Sequence, residues 1–432
     1  MRLLLDLTKP RLMNRIKNIF HRVRSKIAFY PTLISILGVL FAFLLIYMEQ
    51  RHISEYLMDI APGLVIDNTE TARTLLSTLI GGLISLMVFS FSMVMILLNQ
   101  ASSNFSPRVL PGIISDEKHQ IVLGLYLAVI LYNIFILVSI EPTKSNYQTP
   151  GFSVLIAIIL TILCLAAFIY FIHNISQSIK VGTILNSIHL NTKNKLQNII
   201  DTQEFKTFPN QENWSLNTID TTGYFQGILS SDLLETCKDN DLKIVLKFRK
   251  GQFILKGFKG LKTNKPISEK VKGKILKSLI FSNEELTGEN YIYGFRQISE
   301  IGIKAMSPGI NDPGTALNSI DYLTELFSLL MQVHEFEYWI DDMKTLRVYA
   351  ERNTFSEVLF NVLATYRPYC LGDIIVSQKL LYMLNILSEH VINSIQSEAI
   401  QEEIINIKKD LELQIKNSRD LTKIKKGFNS WS

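Results

Sequence analysis

Four apolar runs, at residues 31–48, 75–98, 121–140 and 152–173, dominate the first half of the chain and contain no Asp, Glu, Lys or Arg. Each approaches or exceeds the roughly 20 residues that carry a helix across a bilayer. Helical spacing of apolar positions then continues to about Thr202. Beyond it the period shortens. "TGYFQGIL" (222–229) and "LKIVLKF" (242–248) read as strands, the second setting Leu242, Ile244, Leu246 and Phe248 against Lys243, Val245 and Lys247. Arg249-Lys250-Gly251 turns that strand into "QFILKGF", a hairpin signal, and "FEYWI" and "TLRVYA" bracket Asp341-Asp342-Met343-Lys344 as another pair. From residue 290 the helical period returns. Phe295, Ile298, Gly302 and Ala305 line one helix, and Ala316, Ile320, Leu323, Phe327 and Leu330 the next. Amphipathic helices follow at 356–366, 373–392 and 397–415, and the lysine-rich end (Lys416, Lys423, Lys425, Lys426) reads as a solvated tail.

These patterns predict a membrane α-helical protein with four transmembrane helices followed by a mostly helical cytosolic α+β domain. The expected divisions are a basic segment at 1–30, the transmembrane domain at 31–173, a helical stalk or linker at 174–215 and the α+β domain at 216–432.

Charge sets the expected orientation. Residues 1–30 carry Arg2, Lys9, Arg11, Arg15, Lys17, Arg22, Arg24 and Lys26 against one acid, Asp6, as a cytosolic flank does. The loop 49–74 leans acidic through Glu49, Glu55, Asp59, Asp67 and Glu70. Four crossings then return the chain to the cytosol, so both termini are expected there. Leu12, Ile16, Ile19, Phe20, Val23 and Ile27 recur at helical spacing among the bases, which fits a helix on the anionic leaflet or a plain topological flank. The first run has no small-residue cleavage site and reads as an anchor, not a signal peptide. A hydrophobic fraction of 47% agrees with several spans joined to a globular part. The net charge of +5 is modest, and the bilayer, not nucleic acid, is the expected partner. The absence of intramembrane acids or bases disfavours a coupled carrier.

The second run is unusual. Asp67 and Glu70 resemble a capping box, so its helix is expected to start near Thr69 and run to about Ser103, roughly 50 Å against a core of ~30 Å. Thr71, Thr78, Ser85, Ser92 and Asn99 recur every seventh position, with Gly82, Phe89 and Ile96 on the same face. One reading is close helix packing, because Ser77, Gly81 and Ser85 form a small-x-x-x-small pattern. The other is a pore, lined by Thr78, Ser85, Ser92 and Asn99 and gated at Phe89 and Ile96, which would need several subunits around an axis. Arg73 and Arg108 stand near the two ends as contacts for headgroups or a small anion, with Pro107 and Pro111 ending the helix.

A second dense motif is "MSPGINDPGTAL" (306–317). Pro308-Gly309 suits the centre of a type II turn, Asn311 or Asp312 caps the next helix, and Pro313 fits its first turn. Ser307, Pro308, Gly309, Asn311, Asp312 and Pro313 thus read as a rigid corner between helices. The helix start could also hold an anion, or Asp312 with Asn311 a cation.

Catalytic signatures are absent. "GFKGLKT" (257–263) lacks the spacing of a phosphate loop, and no G-x-S-x-G, H-E-x-x-H or G-x-G-x-x-G occurs. The seven histidines pair with no carboxylate at ligand spacing, and Cys164, Cys237 and Cys370 form no cluster. No metal or cofactor is expected, and enzymatic chemistry has no positive support.

The stretch at 71–110, ending "NQASSNFSPRVL", and "IGIKAMSPGINDPGTAL" (301–317) together resemble a bacterial predicted-membrane-protein family of unknown function, marked by Ser-Pro-Arg and Ser-Pro-Gly-Ile-Asn-Asp-Pro. The order of four spans and then a domain opening with Gly223-Tyr224 matches as well. The resemblance implies a bacterial cytoplasmic membrane and brings no catalytic residues. Ser106, Pro107, Arg108 and 307–313 are family-marking positions. The functional expectation is a homo-oligomeric channel or conductance-regulating protein lined by the second span. Its rival is a non-conducting scaffold or sensor whose cytosolic domain binds a ligand or partner.

Overall fold

The computed structural model describes residues 28–60, 65–66, 68–104, 117–140, 150–178, 180–203, 210–283, 285 and 290–429. Helix α1 (Phe29–Glu49), a short α2 (Ile53–Ile60), α3 (Thr69–Asn104), α4 (Glu117–Ser139) and α5 (Gly151–Ser178) follow the apolar runs. All but α2 are long and apolar enough to cross a membrane. These helices fall in one compact unit, ending at Thr183, and a second unit runs from Ile184 onward.

The membrane helices hold together at two centres. Ala42, Leu45, Ala72, Leu76, Tyr132 and Ile136 form one, and Leu83, Tyr126, Val129, Cys164 and Phe171 the other. Close approach replaces hydrophobic exclusion as the source of contact in lipid, so small residues matter. A Cβ on Gly38 would stand 2.7 Å from that of Ala128, which lets α1 lie directly on α4. At the end of α1, Glu49 reaches across to α5. One carboxylate oxygen accepts the N–H and the hydroxyl of Ser153, each at 2.8 Å, and the other accepts the Ser54 hydroxyl at 2.6 Å. Ser54 in turn accepts the Phe152 N–H at 2.9 Å. Orphan donors in the first turn of α5 are thereby satisfied by residues from α1 and α2.

The second unit begins with α6 (Val181–Thr202), whose last 19 or so residues belong to it. It then carries β1 (Ser215–Asn217), β2 (Gly223–Ile228), α7 (Ser230–Asp239), β3 (Ile244–Leu246), β4 (Phe253–Ile254), β5 (Leu261–Thr263), α8 (Glu269–Lys277) and β6 (Leu279–Ser282). Next come α9 (Tyr291–Ala305), α10 (Pro313–Leu330), β7 (Phe336–Ile340), β8 (Leu346–Glu351), α11 (Phe355–Cys370), α12 (Ile374–Ser388), α13 (Ser394–Gln414) and α14 (Ser418–Asn429). The strands make a five-stranded sheet ordered β1-β5-β3-β8-β7 and a three-stranded sheet ordered β4-β2-β6. All pairings are antiparallel except β3 with β8.

Three sequence expectations change here. The hairpin expected across Arg249-Lys250-Gly251 does not form, because β3 pairs with β5 and β8 while β4 crosses to β2. Val245, assigned to the polar face of its strand, is fully buried along with Ile244 and Leu246. β3 lies between β5 and β8 and is covered on both faces, so the in–out alternation of a half-exposed strand does not apply to it. The lysine-rich end is helical as α14, with Ile424 buried, where a solvated tail was expected. The hairpin at 341–344 does form: the Asp341 carboxylate accepts the N–H groups of Met343 and Thr345, and Lys344 takes a left-handed φ of 58°.

The strand core centres on Phe225, Phe248, Leu261 and Val348. Among the helices, α9 lies against α10 and α11 at Gly302, beside the 2.7 Å hydrogen bond between the Ser319 and Tyr366 hydroxyls.

Candidate functional site

The long helix α3 is capped by Asn68, whose side chain accepts the Thr71 N–H at 2.9 Å. The cap falls one residue later than the box suggested by Asp67, which lies outside the described residues. Ala72, Leu76, Leu83 and Ser90 form the buried stripe that meets the rest of the bundle. The seven-residue repeat points the other way. Thr78, Gly82, Ser85, Phe89, Ser92, Ile96 and Asn99 are all exposed in the single chain, as are Ser77, Gly81 and Arg73. A Cβ on Gly81 or Gly82 would meet nothing within 4 Å. The small-residue pattern therefore packs against no helix of its own chain among the described residues. Its hydroxyls are internally satisfied: Thr78, Ser85 and Ser92 donate to the carbonyls of Thr74, Gly81 and Val88 at 2.8–2.9 Å. Each oxygen keeps lone pairs toward the outside.

The two apolar positions of this face differ. Phe89 rests edge-on against Phe168 of α5, ring centroids 5.9 Å apart, whereas Ile96 projects freely. Arg108, with Ser106 and Pro107, lies outside the described residues. Inside the bundle, sequence reading missed the buried hydroxyls of Ser90 and Tyr126, which face each other, and the amide of Asn133, which has no hydrogen-bond partner among the described residues. Polar groups at such depth face the bundle interior, and no periodicity singles them out.

At the other motif, α9 ends at Ala305 and α10 starts at Pro313. Ser307's carbonyl accepts the N–H groups of Ile310 and Asn311, at 3.0 and 2.9 Å, with Pro308 and Gly309 between. Gly309 has no positive φ, and Asn311 holds the left-handed position at φ 49°. The corner is thus not a type II turn: the left-handed residue is two places later, where Asn is tolerated. Asp312 is the N-cap of α10, with one oxygen accepting the Thr315 N–H at 3.1 Å and the other its hydroxyl at 2.6 Å. Pro313 occupies the first turn. Both carboxylate oxygens are therefore engaged within the helix start. No group of three or more metal-ligating side chains occurs among the described residues.

Long-range ion pairs also escaped spacing rules. His189 of α6 lies buried with Nε2 2.8 Å from Glu325 Oε2 of α10, its ring stacked on Tyr322 at 4.5 Å. The Lys193 ammonium bonds the same carboxyl and, with His189 helping against burial, holds it below the usual carboxylate range. Only folding joins these residues, so a search for histidine and carboxylate neighbours in sequence could not find them. Arg347 similarly joins Asp341 at 2.9 Å and Asp241 at 2.8 Å.

Beyond the two motifs, the chain is 24% identical over 348 residues to an uncharacterized protein of Mycobacterium bovis, and equally to uncharacterized proteins of two Mycobacterium tuberculosis strains. Each match spans 77% of this chain and 67% of the relative. No solved structure matches. Residues 24–385 fit the family described as predicted membrane protein (DUF2254), which takes in the four spans, the strands and the corner, and the chain belongs to that family of membrane proteins.

Proposed function

We propose that the protein assembles as a homo-oligomer in the bacterial cytoplasmic membrane and forms or regulates an ion path along the outward face of α3. One observation carries this reading: Thr78, Gly82, Ser85, Ser92 and Asn99 face away from their own unit, with clear space over Gly81 and Gly82. Small residues are used in bilayers where another helix comes close. With no helix of the same chain on this face among the described residues, a second copy supplies one. Around an axis, hydroxyl rings would alternate with apolar constrictions at Ile96 and Phe89, an arrangement that gates by dewetting. Arg73 near the start of α3, and Arg108 just beyond its end in sequence, favour anions. The basic flank at 1–30 supports cytosolic termini, and a reporter active only outside the membrane, fused after Ser432, should stay silent.

Recording from purified protein in planar bilayers tests conduction. Ile96→Ser and Phe89→Ser should raise basal conductance by wetting the constriction, Ile96→Ser more strongly because Phe89 is braced by Phe168. Gly82→Leu should dissociate the oligomer and abolish current. Silence of wild type and variants under voltage and tension removes the channel and leaves a non-conducting scaffold or sensor. That second reading has its own support in a cavity of about 560 Å³ in the second unit. Tyr338, Tyr349, Phe336 and Gln396 line it, and the Tyr338 hydroxyl is buried there with no hydrogen-bond partner among the described residues.

A further inference from the structure

Between Lys243 and Ser278 the sequence carries twelve lysines and arginines and a single acid, Glu269. Two of these, Lys256 and Lys259, sit on an exposed turn of the second unit. The segment joining β4 to β5 turns at Leu255, whose carbonyl accepts the Phe258 N–H at 3.0 Å, with Gly257 at φ 92° in the third position. That is the geometry of a type II turn, which glycine favours there. The turn is fastened to residues 219–222: the Gly257 N–H donates to the Ile219 carbonyl at 2.7 Å and the Lys256 N–H to the Thr222 hydroxyl at 3.0 Å. So fixed, it holds large apolar side chains in solvent. Phe253 is 51%, Leu255 63% and Phe258 38% exposed, with Lys256 and Lys259 exposed between and beside them.

Helix α8 meets residues 218–220 through its buried side. Its buried Lys272 bonds the Thr218 hydroxyl at 3.1 Å and pairs with Asp220 at 3.1 Å. Lys270, Lys274 and Lys277, spaced four and three residues apart, share one exposed face of that helix, on the side away from Lys272. None of these three, nor Lys256 or Lys259, has an ion-pair partner among the described residues. A rigid turn that presents apolar tips among unpaired lysines is a poor fit to water. It matches the boundary of an anionic bilayer, where apolar tips enter the acyl region and ammonium groups meet phosphates. The chain is already anchored to such a surface by four spans, so the encounter is intramolecular and needs little intrinsic affinity.

We propose that this turn, residues 253–259 with Lys256 and Lys259, docks the second unit onto anionic phospholipid. The inference is independent of conduction.

The test uses the full chain in vesicles. Leu255→Cys provides one reactive thiol for an environment-sensitive fluorophore, since Cys164, Cys237 and Cys370 are buried, and Phe253→Cys is a second label site. In vesicles rich in phosphatidylglycerol, emission should be blue-shifted and at least about twofold brighter than in phosphatidylcholine, and strong salt should reverse the change. Lys256→Glu with Lys259→Glu should remove the response at unchanged unfolding temperature. Both leaflets of each vesicle share one composition, so the outcome does not depend on which side the unit occupies. Equal emission in the two lipids overturns the proposal, as does equal brightening of a control label at Leu413→Cys. A response to added RNA on neutral vesicles, with none to anionic lipid, overturns it in favour of a nucleic-acid surface.

Discussion

Glu49 at the end of α1 accepts both the backbone N–H and the hydroxyl of Ser153, 104 residues away, at 2.8 Å each. Helix α5 is therefore capped by a neighbour's side chain instead of its own preceding residue. The same carboxylate holds Ser54, so three helices meet at one group. Glu49→Ala would leave the donors of Ser54 and Ser153 unmet and should destabilise the membrane unit by about 1–3 kcal/mol. Glu49→Gln, which keeps one acceptor oxygen, should fall between. Denaturation by dodecyl sulfate in mixed micelles, followed by circular dichroism, gives the order. Identical midpoints for all three proteins would deny the latch any energetic role.

The corner between α9 and α10 makes a paired prediction. Asp312→Ala removes the cap and should destabilise the second unit by about 0.5–2 kcal/mol, with Asp312→Ser restoring most of the loss. Asn311→Gly should be tolerated at φ 49°, whereas Asn311→Val should be worse than either. Thermal unfolding ranks the four proteins. If Asp312→Ala is neutral but an added ion shifts only the wild-type transition, the carboxylate binds a ligand instead.

Gly302 leaves no room for a side chain. A Cβ there would stand 2.2 Å from both the Ser319 and Tyr366 oxygens. Gly302→Ala should overpack the junction of α9, α10 and α11 by about 1–3 kcal/mol. Tyr366→Phe alone should lose about 0.5–1.5 kcal/mol, because Ser319 keeps its bond to the Ala316 carbonyl. Combined, the two changes should cost less than their separate effects added, since the phenol oxygen is one of the clashing atoms. Strict additivity in chemical denaturation would show that the phenol is not what the methyl meets.

Acid should weaken the second unit at a definable point. Arg347 bonds the Asp341 carboxylate, and the N–H groups of Thr345 and Met343 add to it against burial, so Asp341 titrates below the usual range; Asp241 is lowered by the same guanidinium. A carboxyl group with a lowered folded value stabilises the fold fully above its unfolded value, near 3.9. That contribution disappears as pH falls through the lower folded value. Stability from this group should hold from pH 7 down to about 4 and decline below it. Asp341→Asn should lower stability at neutral pH and flatten the acid limb, while Asp342→Asn, whose partner Lys238 is a surface group, should behave as wild type. An acid limb of Asp341→Asn parallel to wild type would place the sensitivity elsewhere.

The spans were legible because a bilayer imposes length and apolarity together, and α3 ran to Asn104 where its pattern placed the end near Ser103. Which side of α3 faces inward was not legible. In lipid both sides are apolar, so hydrophobicity cannot separate core from periphery, and only packing sent Leu76 and Leu83 in and Ser85 and Ile96 out. In the second unit, residues adjacent in sequence misled. A turn at Arg249-Lys250-Gly251 is real, but backbone pairing of the flanking strands is decided by distant partners. The corner shows the same limit at short range: its composition announced a turn, while Asn311, not Gly309, took the left-handed position.

The parallel pairing of β3 with β8 also fixes an order of events during synthesis. β5 can join β3 almost at once, but the other edge of β3 waits until α9, α10 and β7 have been made and β8 has left the ribosome. Throughout that interval Ile244, Val245 and Leu246 present an apolar, half-paired strand beside a membrane where the four apolar spans are already inserting. Long-range pairings of this kind form slowly and leave edges open to wrong partners. A chain interrupted before Leu346 would carry that edge permanently, so premature termination there should send the product to proteolysis, whereas loss of α14 alone should spare the sheet.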